Sequence, residues 1–149
     1  MKFTSGFWWM RDGIEGNYPA EVYEVEKTDD TLAVFAPVQP IEGRGDTLNC
    51  RMLSVRLSSP LPGVIRVRMT HFEGTRQDGP CYKLADENPA VQISDADDKV
   101  VFTSGELSAH VSLAKKGWGI EFCEGDRALT NTGFRNMGYM VDSNVDQVY

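Results

Sequence analysis

Apolar and polar residues alternate with a period of two along much of the chain. Residues 48–58 alternate for much of their length, with Met52, Ser54, Arg56 and Ser58 on one side and Leu53, Val55 and Leu57 on the other, as in a strand with one face in a core and one in water. The run Ser59-Pro60-Leu61-Pro62-Gly63 stops this strand, since Pro cannot donate to a ladder and Gly permits a turn. Residues 64–72 then resume the alternation, with Val67 and Met69 interleaved with Arg66 and Arg68, which predicts an antiparallel pair. Upstream, residues 21–27 and 31–38 are β-rich and flank Thr28-Asp29-Asp30, which predicts a hairpin. Downstream, residues 90–94, 99–103, 106–113, 118–123 and 128–130 are short β-rich runs, separated by residues 95–98, Ser104-Gly105, residues 114–117 and Glu124-Gly125-Asp126. Turn signals recurring roughly every 8 to 12 residues, with almost no helix-period stripe, indicate an all-β sandwich or barrel of antiparallel strands.

Two regions break the pattern. Residues 72–88 contain Glu73-Gly74 and Asp78-Gly79-Pro80, lead into Asn88-Pro89, and hold Phe72, Tyr82 and Leu84 as their large apolar side chains. A long irregular loop is expected there, of the kind that often carries function. Residues 134–149 include Met137, Tyr139, Met140, Val141, Val145, Val148 and Tyr149 without a charged tail, and are expected to offer apolar surface to a neighbouring domain.

With 149 residues, the chain can bury about 68 to 70% of its unfolded surface and sustain a core without staples, whereas a TIM barrel needs about 250 residues. A single domain over residues 1–149 is expected. The net charge of −7 and pI of about 4.8 oppose binding to a phosphate backbone, so no nucleic-acid partner is expected. No stretch approaches the roughly 18 apolar residues of a membrane helix, so no membrane partner is expected either. Cys50, Cys81 and Cys123 are an odd, widely spaced set, and no Asn-x-Ser/Thr sequon occurs. Both features favour a reducing, cytoplasmic setting.

Chemistry-bearing motifs are sparse. Neither a Gly-x-Ser-x-Gly elbow nor a phosphate-binding Gly-rich loop is present, and Gly43-Arg44-Gly45 and Gly117-Trp118-Gly119 are lone triplets that lack the context of a nucleotide site. No two cysteines or histidines lie within five residues of one another, so no metal and no cofactor are expected. His110, in an alternating run, reads as a hydrogen-bonded structural residue; His71 leans further toward function because it opens the long loop. Trp8, Trp9, Trp118, Tyr82 and Tyr139 could stack on sugar rings, although aromatic residues also fill sandwich cores. The 22 acidic residues include many in turns, among them Asp29, Asp30, Asp95, Asp97, Asp98, Glu124 and Asp126, and no catalytic pair is selected among them.

The stretch Ser59-Pro60-Leu61-Pro62-Gly63-Val64-Ile65-Arg66-Val67-Arg68-Met69-Thr70-His71-Phe72-Glu73-Gly74 resembles the amino-terminal β-sandwich of glycoside hydrolase family 31, most closely its α-xylosidase branch. Gly6 with Trp8, Val22-Tyr23-Glu24-Val25-Glu26, Gly79-Pro80 with Tyr82 and Leu84, Ser104-Gly105-Glu106-Leu107-Ser108-Ala109, and Gly138-Tyr139 with Asp142 and Asn144 agree in order. The resemblance implies a galactose-mutarotase-like sandwich, followed in the family by a (β/α)8 barrel that holds an aspartate nucleophile and an aspartate acid/base. No such catalytic motif lies within these residues. The expected role is therefore a non-catalytic, N-terminal domain of a retaining α-xylosidase or α-glucosidase, inactive alone and packed on its own catalytic barrel. In this reading the loop of residues 71–82, with His71, Phe72, Arg76, Asp78 and Tyr82, narrows the entrance for an α-xyloside or α-glucoside oligosaccharide, and the parent enzyme is a homo-oligomer. The competing expectation is an autonomous carbohydrate-binding module using Trp8, Trp9 or Trp118.

Overall fold

Leu32, Val34 and Ala36 lie on one face of a strand and Leu53, Val55 and Leu57 on the same face of its neighbour, and all six are buried. They belong to a computed structural model that describes residues 9–72, 87–115, 118–133, 135–145 and 147–148. Its strands are β1 (Ile14–Asn17), β2 (Glu24–Lys27), β3 (Thr31–Pro37), β4 (Met52–Ser58), β5 (Arg66–Thr70), β6 (Gln92–Ala96), β7 (Lys99–Ser104), β8 (Leu107–Ser112), β9 (Ile120–Glu124), β10 (Arg127–Asn131), β11 (Tyr139–Asp142) and β12 (Gln147–Val148). They form three antiparallel sheets, ordered β2-β3-β4-β5, β10-β9-β8-β7-β6 and β1-β11-β12. The fold is a β-sandwich, as the alternation predicts.

The seam of the sandwich follows from register. Leu32 pairs with Leu57 and Val34 with Val55 in one sheet, while Val100 pairs with Val111, Phe102 with Ala109 and Val111 with Ile120 in the other. These nine side chains form one buried cluster. Phe102 stands opposite Ala109, so its bulk is accommodated by a small partner. Burying each large aliphatic or aromatic side chain of this kind contributes about 1.5 to 3 kcal/mol.

Polar contacts then lace the sheets together. Ser59 Oγ donates to the Leu61 carbonyl (2.8 Å), Ser104 Oγ lies 2.7 Å from Ser59 Oγ, and the Gly63 N–H donates to Ser104 Oγ (3.1 Å). With Ser59 donating to Leu61, Ser104 donates to Ser59, and every proton in the chain has an acceptor. The Pro-rich turn after β4 is thereby pinned to the β7–β8 hairpin, whose turn residue Gly105 has φ +61, a conformation that favours glycine. A Cβ on Gly105 would also lie 3.3 Å from the Gly63 nitrogen. At the opposite edge, Lys27 of β2 pairs with Asp95 of β6.

Most expected strands are present with shifted ends, and three strands go beyond the expectation. Residues 48–51 lie outside β4, because a 3₁₀ turn at Arg44–Thr47 leads into Asn49 at φ +59. β6 runs to Ala96 because Asp95 and Ala96 still pair with Val100 and Lys99. Of residues 134–149, expected to offer apolar surface to a neighbouring domain, part is covered within the chain: Tyr139 is buried, and β11 pairs with β1 through Asn17↔Tyr139 to Ile14↔Asp142. Strand pairing across more than a hundred residues supplies that cover, and Val145 is the exposed apolar residue among those described there.

Two substitutions separate the apolar seam from the polar lacing. Phe102→Ala is expected to destabilise the chain by about 3 to 5 kcal/mol, and Ser104→Ala by about 1 to 3 kcal/mol, because it leaves the Gly63 N–H without its acceptor. Urea unfolding checks both; equal losses would contradict this division of roles.

Candidate functional site

β5 ends by delivering His71 onto the small third sheet. Its ring stacks on that of Tyr139, with centroids 4.1 Å apart and planes at 20°. Tyr139 is buried at the first position of β11, and burial, with the nearby Glu15 carboxylate, pushes its phenol above the ordinary value despite the opposing charge of Arg51. Arg51 is held from the other side. Its guanidinium pairs with Glu15 and donates to Asn17 Oδ1 at 2.7 Å, and the Glu15 hydrogen bond raises its pKa further. Tyr18 packs so closely here that a Cβ on Gly138 would meet the Asn17 carbonyl and the Tyr18 ring at 2.5 Å, and the Arg135 guanidinium carbon lies 5.3 Å from the centre of that ring. Asn17 Nδ2 and Tyr18 Oη are buried without a hydrogen-bond partner among the described residues.

The root of the expected entrance loop is thus rigidly seated. His71 is fixed by stacking, whereas Phe72, the next residue, is 78% exposed. Arg76, Asp78 and Tyr82 lie outside the described residues. Of the expected sugar-stacking aromatics, Tyr139 is a packing residue, Trp9 is 70% exposed, Trp118 is half-buried against the core, and Trp8 lies outside the described residues.

A second constellation occupies the outer face of the five-stranded sheet. Register places His110 opposite Glu121 and Ser108 opposite Cys123 on neighbouring strands β8 and β9, with Lys99 of β7 beside them. His110 Nε2 lies 3.1 Å from Ser108 Oγ, which donates to the Cys123 carbonyl at 3.4 Å, and His110 Nδ1 lies 3.3 Å from Lys99 Nζ. The Cys123 thiol lies 3.9 Å from His110 Nδ1 and 3.8 Å from Glu121 Oε2. Burial and then Lys99 hold His110 below its ordinary 6.5, opposed by Glu121. Burial and the Glu121 carboxylate push the Cys123 thiol up. An open cleft of about 340 Å³ adjoins them, with Trp118, Asn131 and Thr132 on its rim. Asn131 reaches that rim because the β9–β10 register shifts between Ala128 and Thr130, as a bulge re-aims the residues that follow it. The close ligand spacing sought along the chain does not single out this group, since His110 meets Glu121 and Cys123 through strand register.

The chain is 33% identical to an α-xylosidase of Emericella nidulans over 150 aligned positions, which take in 96% of the chain. The chain is related to the α-xylosidases. It is also 36% identical over 113 residues, 76% of the chain, to α-xylosidase XylQ of Lactiplantibacillus pentosus. It spans 19% of the length of the first relative and 15% of the second, so it aligns with a domain-sized part of each. No family model matches the chain. Among the described residues, no helix is long and apolar enough to cross a membrane.

The depressed His110 pKa has a testable sign. The folded state prefers the neutral ring, so the unfolded chain binds more protons once pH falls below 6.5. The stability this adds is present above that value and is lost as pH falls through the folded-state pKa. The stability difference between the natural chain and His110→Gln is expected to be larger at pH 7 than at pH 5. Urea unfolding at the two pH values measures it, and a pH-independent difference would refute the assignment.

Proposed function

We propose that the chain is a non-catalytic β-sandwich domain of a retaining glycoside hydrolase that removes terminal α-linked sugars from an α-xyloside or α-glucoside. In this reading it packs on a (β/α)8 catalytic barrel and its residue 71–82 segment shapes the substrate entrance. Both relatives are named α-xylosidases and are several times longer than the chain, which supports a catalytic centre outside it. Several acidic groups among the described residues are engaged in structural contacts, which supports the same reading. Glu15, Asp95 and Glu124 are in ion pairs, Glu21 accepts the Ile41 N–H, and Asp46 accepts the N–H groups of Glu42 and Gly43.

The observation that carries the entrance role is the stacking of His71 on buried Tyr139. It seats His71, the first residue of the segment, against the third sheet and leaves Phe72 exposed beside it. A fixed root with an exposed aromatic suits a wall that meets another domain or a bound oligosaccharide.

The test uses the complete enzyme that contains this chain. His71→Ala and Tyr82→Ala are each expected to lower kcat/KM for α-linked oligosaccharides by about tenfold, equivalent to about 1.4 kcal/mol of transition-state stabilisation. Unchanged values for every oligosaccharide would reduce the segment to scaffolding. The open cleft beside Trp118 favours a second reading, an autonomous sugar-binding module. Titration calorimetry of the chain with xylose-containing oligosaccharides decides between them: no heat is expected for a wall domain, whereas binding abolished by Trp118→Ala would establish the module.

A further inference from the structure

Neither the seam nor the entrance reading uses the His110, Glu121 and Cys123 group. We infer that these three side chains form a binding site for a thiophilic divalent cation of the zinc class, with the cation's fourth position open to the adjoining cleft.

Geometry comes first. One donor atom from each residue lies within 4.8 Å of the other two, and the two contacts to sulfur are 3.9 and 3.8 Å. A tetrahedral zinc ion with bonds of about 2.3 Å to sulfur and about 2.0 to 2.2 Å to nitrogen and oxygen holds its donors roughly 3.5 Å apart. Small side-chain rotations close the difference. The donors also stand on paired strands in the interior of a five-stranded sheet, where the backbone holds them more tightly than a loop would.

The imidazole is already set in a ligating tautomer. Ser108 Oγ is committed as a donor to the Cys123 carbonyl, so it accepts from His110 Nε2–H. That leaves the lone pair on Nδ1, the nitrogen nearest Cys123 and Lys99. Orientation of a ligating histidine through its distal N–H is the usual arrangement around metals. Thiolate, imidazole and one carboxylate select a borderline-soft ion over calcium or magnesium, which take oxygen ligands. Three protein ligands with one open position also match a zinc centre that accepts water or an exogenous ligand. His110 and Glu121 both line the cleft, which locates that position.

Lys99 supplies the opposing force. Its ammonium now satisfies His110 Nδ1 and repels a cation, so metal binding must displace it. The Cys123 S–H bond breaks as the S–metal bond forms, and one proton passes to solvent for each ion bound. Affinity must therefore rise with pH and rise again when Lys99 loses its charge.

The test uses the full chain with Cys50→Ser and Cys81→Ser, so that Cys123 is the sole thiol, and cobalt(II) as a spectroscopic probe. A near-ultraviolet thiolate-to-cobalt charge-transfer band that zinc abolishes is expected. Cys123→Ser should remove the band. Ser108→Ala should weaken cobalt affinity by about 10- to 100-fold, and Lys99→Met should strengthen it. Glu121→Gln changes an exposed residue and guards against misfolding as the cause of any loss. It should weaken cobalt binding while leaving the circular dichroism and unfolding midpoint unchanged. No charge-transfer band with Cys123 fully reduced, a band that survives Cys123→Ser, or unaltered affinity in both Glu121→Gln and Lys99→Met would overturn the site.

Discussion

Phe102 sits between two sheets whose facing positions are taken up by apolar side chains, and that seam dictates where any chemistry can be placed. Because side chains alternate across a strand, committing Leu32, Val34, Val55 and Leu57 from one sheet and Val100, Phe102, Ala109, Val111 and Ile120 from the other to the core sends the intervening residues outward. His110 and Glu121 are outward because Val111 and Ile120 are inward. A one-residue slip of β8 against the core would bury His110 and expose Ala109 and Val111. The polar cluster on the outer face is therefore held in place by hydrophobic burial on the opposite face.

The same constraint explains what the family-like motifs do. Ser59-Pro60-Leu61-Pro62-Gly63 and Ser104-Gly105 are far apart in sequence, yet they meet through the Ser59–Ser104 and Gly63–Ser104 hydrogen bonds. Gly138 leaves room for the Asn17 carbonyl and the Tyr18 ring, and Tyr139 receives His71. These motifs close the sandwich at its turns and seat the small third sheet. Relatives can retain them for architecture alone, so their presence bears on descent and fold and assigns no chemistry to the residues themselves.

Legibility from sequence followed the range of the forces involved. The β2–β3 hairpin and strands β4 to β10 were readable because period-two alternation and local turn chemistry are short-range signals. β1 and β11 were not, since Ile14-Glu15-Gly16-Asn17 is brief and weakly patterned and finds its partner at residues 139–142. His71 and Phe72 were readable as the start of a segment different in kind, but the stacking on Tyr139 depends on that same long-range pairing. The outer-face cluster was missed for a related reason. A search for neighbouring ligands scans along the chain, whereas His110, Glu121 and Cys123 meet across a ladder. Glu121 and Cys123 share a face two residues apart, and that spacing was the one local signal available.

The two candidate sites differ in how their polar groups are satisfied, and the difference bears on what each can bind. On the outer face the His110 ring is partnered internally: Ser108 lies against Nε2 and Lys99 against Nδ1. A ligand there competes with existing contacts and gains only the excess of its own interactions over theirs. At the root of the residue 72–87 segment, Asn17 Nδ2 and Tyr18 Oη are buried without a partner among the described residues, and an unsatisfied buried group costs about 1 to 3 kcal/mol. A hydrogen-bonding group brought to that root would meet two polar atoms that have no partner among the described residues. The two places therefore differ in kind: the root holds polar atoms without a partner among the described residues, whereas a cation at the outer face has to displace the Lys99 ammonium.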